Sequence, residues 1–119
     1  MPGKPTILCV DDEHAVLSTM QLILSSADYE VLTAATVPEA IALVKAYRVD
    51  LVLTDRFPER GLLVQEAKRA NPETRVLIHS GDLGASVDAA SEIPGVDGYM
   101  IKPVAPRELL QRVAELLQK

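Results

Sequence analysis

The stretch TILCVDDEHAV, residues 6–16, carries an apolar run directly into three consecutive acids. Residues 6–10 have the composition of a buried strand, and Asp11, Asp12 and Glu13 follow it without an intervening residue. Carboxylates that are crowded at one rigid edge repel one another unless a cation shares the site. The sequence therefore predicts that these acids either spread into water or hold a positive charge.

The rest of the chain alternates apolar strands with amphipathic helical segments. Strands are predicted at 6–10, 29–34, 49–55, 75–80 and 96–101, and helices at about 14–27, from Thr36 onward, at 61–71, in the 80s, and within 102–118. The strands are almost continuously apolar, as expected for a parallel sheet that is covered on both faces. Right-handed crossovers then favour an α/β fold: a doubly wound, five-stranded parallel sheet with five helices in a three-layer sandwich.

Length and composition limit the class of protein. A chain of 119 residues suits a single domain, 1–119, and 48% hydrophobic with 24% charged residues is ordinary for a globular protein. No apolar run approaches the ~20 residues of a membrane span, so no membrane partner is expected. The single cysteine is compatible with a reducing compartment, which predicts a cytoplasmic protein. The net charge of −5 argues against direct nucleic-acid binding, which requires a basic patch.

Chemistry-bearing residues follow the predicted strands. They are Asp11, Asp12 and Glu13, then Asp55, then His79 and Ser80, and finally Lys102. In sheets of this class, sites lie outside the carboxyl ends of the strands. Carboxylates suit Mg²⁺, a lysine offers a charge to a phosphoryl oxygen, and a serine beside a glycine offers a hydroxyl to the same anion. This set favours phosphoryl transfer with a carboxylate nucleophile over general acid–base hydrolysis, because no histidine is paired with a nucleophile.

The segment VDDE (10–13), Asp55 after an apolar strand, Ser80-Gly81 and GYMIKP (98–103) together resemble the receiver domain of two-component response regulators, including the chemotaxis receivers. The resemblance covers the whole chain and implies the strand order 2-1-3-4-5. It also implies a phosphoacceptor signalling domain that is phosphorylated by a sensor histidine kinase or phosphotransfer protein. Such a domain acts on an unknown output domain or target protein, and is not an enzyme beyond its own phosphorylation and slow dephosphorylation.

The resemblance assigns roles to the residues of this chain. Asp55 is similar to the phosphoacceptor, and Asp11 and Asp12 to the acidic pair that holds Mg²⁺ together with it. The backbone carbonyl of Phe57 corresponds to a further metal ligand. Lys102 corresponds to the lysine that pairs with the acids and the phosphoryl group.

Two further positions match the switch residues of the family, Ser80 as the switch hydroxyl and Tyr99 as the switch aromatic. The segment between Asp55 and Ser80 departs from the family pattern, because Pro58 and Gly61 come early and the third crossover is trimmed. This loop carries the carbonyl that should reach the metal.

Two other functions stay open. The trimmed segment fits a degenerate, non-phosphorylated receiver that serves as a protein-interaction scaffold. The aspartate nucleophile also fits a small phosphohydrolase similar to the dehalogenase-like phosphatases. Those enzymes usually place a second acid two residues after the nucleophile, whereas Asp55 is followed by Arg56 and Phe57.

The remaining polar candidates are interpreted as structural. Glu13 is predicted to serve the first turn of a helix, where an acid complements the helix dipole. His14 and His79 are predicted to be solvated or structural. Asp50 and Asp97 come at strand starts, at the edge opposite the site, and are predicted to be turn residues.

Overall fold

Alternating apolar strands and amphipathic helices form the elements of the fold. The computed structural model describes residues 3–55, 57–81, 94–102 and 105–118. The strands are β1 (Thr6–Val10), β2 (Glu30–Ala34), β3 (Leu51–Thr54), β4 (Arg75–Ser80) and β5 (Gly98–Ile101). The helices in these ranges are α1 (His14–Ser26), α2 (Val37–Ala46), α3 (Arg60–Ala70) and α4 (Pro106–Leu117). The helix predicted in the 80s lies outside the described residues.

The five strands form one parallel sheet in the order β2-β1-β3-β4-β5. The interior strand β1 pairs with β2 and β3, so that Ile7 lies opposite Val31 on one side and Leu51 on the other. Parallel neighbours need crossover connections, which place helices on both faces of the sheet. The predicted doubly wound α/β fold and its strand order are therefore confirmed.

Successive residues of each strand enter two different core layers. On β1, Leu8 and Val10 pack with side chains of α2 and α3, whereas Ile7 and Cys9 pack with side chains of α1 and α4. Because both faces of the sheet are covered, both sets of side chains must be apolar, which explains the continuous apolar runs. In the ranges that the structure describes, no helix has the length and apolar character to cross a membrane.

The start of α2 forms a capping box. The hydroxyl of Thr36 accepts a hydrogen bond from the Glu39 backbone N–H at 3.2 Å, and Glu39 Oε1 accepts one from the Ala35 N–H at 2.9 Å. Two N–H groups without a helical partner are thereby satisfied, and Pro38 stands in the first turn, where its missing N–H costs nothing. The predicted helix start at Thr36 is confirmed.

Asp97, just before β5, joins three elements at the amino edge of the sheet. Its Oδ2 accepts hydrogen bonds from the Val76 N–H at 2.8 Å and from Lys68 Nζ at 3.0 Å, and its Oδ1 lies 3.4 Å from Arg75 Nη1. Burial alone would raise the pKa of Asp97, but the bonds from Val76, Lys68 and Arg75 outweigh it, so that the pKa lies below its usual value. The side chain therefore does more than the turn role that the sequence predicts, because it fastens α3 to β4.

Replacing Asp97 with alanine is expected to lower the unfolding free energy by about 2 kcal/mol, because the Val76 N–H and two cations lose their acceptor. The loss should be seen by urea denaturation at neutral pH and should shrink as the pH falls below about 3.8, through the lowered pKa. Asp97→Asn keeps an acceptor oxygen and should lose about half as much. Glu115→Ala, at an exposed position of α4, is the control and should change stability by less than about 0.5 kcal/mol.

Candidate functional site

The polar residues that follow β1 and β3 are held side by side by the sheet. The Asp11 N–H donates to the carbonyl of Ala34 at 3.1 Å, and the Asp55 N–H donates to the carbonyl of Val10 at 2.8 Å. These bonds continue the parallel ladders one residue past the strand ends. The positions of the Asp11 and Asp55 backbones are therefore fixed by the sheet and do not depend on side-chain contacts.

Three carboxylates converge at this edge. Asp11, Asp12 and Asp55 each contribute an oxygen, and these oxygens all lie within 4.8 Å of one another. Asp11 is buried, with 3% of its surface exposed, while Asp55 is partly buried and Asp12 is exposed. Like charges at this separation are unfavourable unless positive charge is close. The structure thus brings together the three acids that the sequence singled out for a metal.

Lys102 supplies part of that positive charge. Its Nζ lies 2.8 Å from Asp11 Oδ2, 3.4 Å from Asp55 Oδ1 and 3.8 Å from Glu13 Oε1. Burial alone would lower the pKa of Lys102, but the hydrogen bond to Asp11 and the charges of Asp11 and Asp55 outweigh it and raise the pKa. The lysine therefore stays charged at neutral pH, and one cation balances part of a larger negative charge.

Asp11 is the most restrained acid of the cluster. Its Oδ2 accepts the bond from Lys102, and its Oδ1 accepts a bond from the Glu13 N–H at 2.9 Å. The Glu13 side chain itself is 67% exposed and precedes α1 at the N-cap position, without a side-chain cap bond. The Glu13 side chain thus lies at the exposed margin of the cluster. The Asp11 carboxylate, in contrast, is fixed by the backbone N–H of Glu13.

The loop after β3 folds back through Phe57. The Phe57 N–H donates to the Asp55 carbonyl at 3.0 Å. The Phe57 carbonyl accepts two bonds from Arg60, one from the backbone N–H at 3.1 Å and one from Nη1 at 2.9 Å. The Phe57 ring packs against the core layer beneath α2 and α3. The carbonyl that the family resemblance assigns to a metal is therefore bonded to Arg60 in this structure.

His79 lies beneath the acidic cluster on β4. It is 6% exposed, and neither ring nitrogen has a hydrogen-bond partner within the described part of the chain. Burial and then the nearby Lys102 lower its pKa to about 4, against the opposing effect of Asp11 and Asp55. The ring lines a mainly apolar groove of about 290 Å³ between α1 and α4. Of the two roles left open by the sequence, the solvated one is thus excluded for His79.

The two predicted switch residues lie on neighbouring strands. Ser80 ends β4 and pairs with Ile101, although its side chain lies outside what the structure describes. Tyr99 pairs with Ile78, is half-buried, and packs against the core layer of α2 and α3. Tyr99 lies within β5, three residues before Lys102, which directly follows that strand.

Known proteins of one family match the chain over nearly its whole length. The model of the response regulator receiver domain family matches residues 7–114. The chain belongs to this family. The acidic cluster and Lys102 thus lie at the carboxyl edge of a receiver domain.

Individual relatives are similar to this receiver over nearly its whole length. The phosphate regulon transcriptional regulatory protein PhoB of Pseudomonas aeruginosa is 33% identical over 100% of the chain and 54% of that protein. The probable transcriptional regulator ycf27 of Cyanophora paradoxa is 30% identical over 98% of the chain and 50% of that protein. The crystal structure of a CheY-like receiver domain protein from Methanospirillum hungatei is 32% identical, with a TM-score of 0.86, over 97% of the chain and 94% of that structure. The receiver spans about half the length of the two regulators.

The predicted set of partners, which left out nucleic acid, is wrong. That prediction relied on the net charge of −5. The relatives are transcriptional regulators, and the receiver corresponds to about half of each. The charge of a receiver domain carries no information about what the remainder of such a regulator binds.

Proposed function

We propose that this receiver accepts a phosphoryl group on Asp55, in the presence of Mg²⁺, from the phosphohistidine of a sensor histidine kinase or a phosphotransfer protein. The observation that carries the proposal is the position of Lys102 Nζ, 2.8 Å from Asp11 and 3.4 Å from Asp55, within a cluster of three carboxylates. One lysine cannot neutralise three carboxylates. The remaining negative charge fits a divalent cation as a second positive group. Phosphoryl transfer needs mainly positioning and charge neutralisation, and this set of groups supplies both.

The donor set fits a magnesium ion. Oxygens from Asp11, Asp12 and Asp55 within 4.8 Å of one another match a hard cation that takes few carboxylates and keeps waters as its other ligands. When bound, Mg²⁺ neutralises the charge of an incoming phosphoryl group. The buried Asp11 anchors this set, because hydrogen bonds from its own loop and from Lys102 hold both of its oxygens.

Asp55 is placed to act as the nucleophile. Its carboxylate is 24% exposed, so that a donor can approach it, while its backbone is fixed to β1. A carboxylate oxygen attacks phosphorus, an O–P bond forms, and the P–N bond to the donor imidazole breaks. Lys102, already 3.4 Å from Asp55, then pairs with the new phosphoryl oxygens.

We assign the response to phosphorylation to Ser80, at the end of β4, and to Tyr99, within β5. Ser80 follows the β4 residues that pair with β3, and its hydroxyl would bind the phosphoryl group on Asp55. The half-buried Tyr99, one strand further, would repack and change the surface that the receiver presents to its output. The regulator relatives favour transcriptional control as that output. The receiver works as a cytoplasmic signalling domain and acts on no substrate besides its own aspartate.

Incubation with acetyl phosphate, with and without Mg²⁺, tests the proposal by intact mass. A single phosphoryl adduct that requires Mg²⁺ is expected on the wild type, and none on Asp55→Asn, which keeps the shape of the side chain but lacks the nucleophile. No adduct and no Mg²⁺ binding would instead favour the scaffold function. Continuous release of phosphate over many turnovers would favour a phosphohydrolase.

A further inference from the structure

Arg60, the first residue of α3, is bonded to the loop that borders the metal site. Its backbone N–H and its Nη1 both donate to the Phe57 carbonyl, at 3.1 Å and 2.9 Å. A carbonyl oxygen has two lone pairs, so these two bonds use its normal capacity as an acceptor. The Phe57 carbonyl therefore has no lone pair left for a metal while Arg60 stays in place.

The position of Arg60 is unusual for a cation. The first turn of a helix favours negative charge, because the helix dipole is positive there. Glu59, at the N-cap of α3, forms no side-chain cap bond, so that the arginine meets the dipole without a local carboxylate cap. A charge-assisted hydrogen bond to the carbonyl offsets this unfavourable position.

We infer that the guanidinium of Arg60 competes with the divalent cation for the Phe57 carbonyl and so sets the metal affinity of this receiver. The inference rests on the proposed Mg²⁺ site. Metal binding through the carbonyl requires release of the guanidinium, and the lost hydrogen bond reduces the net affinity. Arg60 thus lowers the affinity for Mg²⁺ and favours the metal-free state at low Mg²⁺ concentration.

The composition of the chain makes this competition directly observable. Phe57 is the only phenylalanine. Protein that is labelled with [1-¹³C]phenylalanine therefore shows one labelled carbonyl signal, which reports on the atom in question. Titration with Mg²⁺ gives the dissociation constant and the response of this carbonyl in the same experiment.

Arg60→Ala is expected to bind Mg²⁺ about tenfold more tightly than the wild type, the size of effect that one charge-assisted hydrogen bond gives. The Phe57 signal should move on this substitution without metal, and should move again when Mg²⁺ is added to either protein. Arg69→Ala is the matched control, because it removes the same charge from the same helix at a side chain that is 67% exposed. Its dissociation constant should stay within about twofold of the wild-type value.

Equal gains in affinity for Arg60→Ala and Arg69→Ala would overturn the inference, because the effect would then be one of total charge. A Phe57 signal that Mg²⁺ does not move in either protein, although the metal binds, would overturn it as well. If neither protein binds Mg²⁺, the proposed metal site fails together with the inference. The titration thus separates failure of the inference from failure of the site.

Discussion

Replacing Lys102 with methionine is expected to lower the unfolding free energy of the metal-free receiver by about 3 kcal/mol. Methionine keeps an apolar stem of similar length, so that the change removes mainly the charge. Asp11, which is 3% exposed, would lose the cation 2.8 Å away, and its repulsion with Asp55 would be uncompensated. Removing one partner of a buried ion pair costs more than the pair contributes, because the other charge remains buried.

Urea denaturation in EDTA and in millimolar Mg²⁺ measures this effect of Lys102→Met. Mg²⁺ should restore part of the lost stability, because it binds the folded state and supplies the missing positive charge. Lys45→Met is the control, since its side chain is 63% exposed and lies 3.8 Å from Glu66, and it should cost less than about 1 kcal/mol. If Lys102→Met were as stable as the wild type in EDTA, the acids would not depend on the lysine.

Replacing His79 with leucine is expected to stabilise the receiver, by about 1–2 kcal/mol at pH 7 and by more at lower pH. The ring is buried and neither nitrogen has a partner among the described residues, so that the wild type bears the cost of an unsatisfied polar group. Leucine matches the apolar lining of the neighbouring groove, which includes Met20 and Leu109. The gain comes from removing a desolvation cost rather than from a new bond.

The pH dependence follows from the lowered pKa of His79. In the unfolded chain its pKa is near 6.5, whereas in the fold it is about 4. Between these values the unfolded state binds the proton and the folded state does not, so that wild-type stability falls as the pH is lowered from 6.5 towards 4. The full difference corresponds to about 3 kcal/mol. His79→Leu does not lose stability in this way.

Urea denaturation at pH values from 7 to 4.5 tests the prediction for His79. The stability gap between His79→Leu and the wild type should widen as the pH falls. His14→Gln, at the exposed start of α1, is the control and should follow the wild type within about 0.5 kcal/mol. A gap for His79→Leu that stays constant across the range would contradict the lowered pKa.

The order of strands and helices could be predicted because each element repeats a short pattern. Residues 6–10 were predicted as a strand with the observed bounds, and Thr36 with Glu39 marked the start of α2 from a three-residue spacing. The bounds of β4, residues 75–80, were also predicted as observed, whereas most other helix and strand ends shift by a residue or two, since the end of an element depends on tertiary hydrogen bonds. Asp50, for example, lies just before β3, where its N–H donates to the Thr6 carbonyl at 2.9 Å and its carboxylate accepts from the Thr6 N–H at 2.8 Å.

The role of Arg60 could not be read from the sequence. Its bond to the Phe57 carbonyl depends on how the trimmed loop folds, and no periodic pattern encodes the direction of a long side chain. For the same reason the sequence left the burial of His79 open and did not predict the three bonds of Asp97. The net charge of −5, in contrast, was interpreted too broadly, because the charge of a receiver domain does not report what the transcriptional regulators related to it bind.

The sequence by itself determined the parallel sheet and the placement of Asp11, Asp55 and Lys102 at one edge. Apolar runs that end in polar residues are local, and parallel strands bring their carboxyl ends to the same side. Only the tertiary structure decided that Lys102, after β5, reaches across the ends of β4 and β3 to Asp11 at 2.8 Å, and that Arg60 donates to the Phe57 carbonyl at 2.9 Å. Those contacts depend on distances of a few ångströms between side chains and backbone, which the packed core and the loop geometry set together.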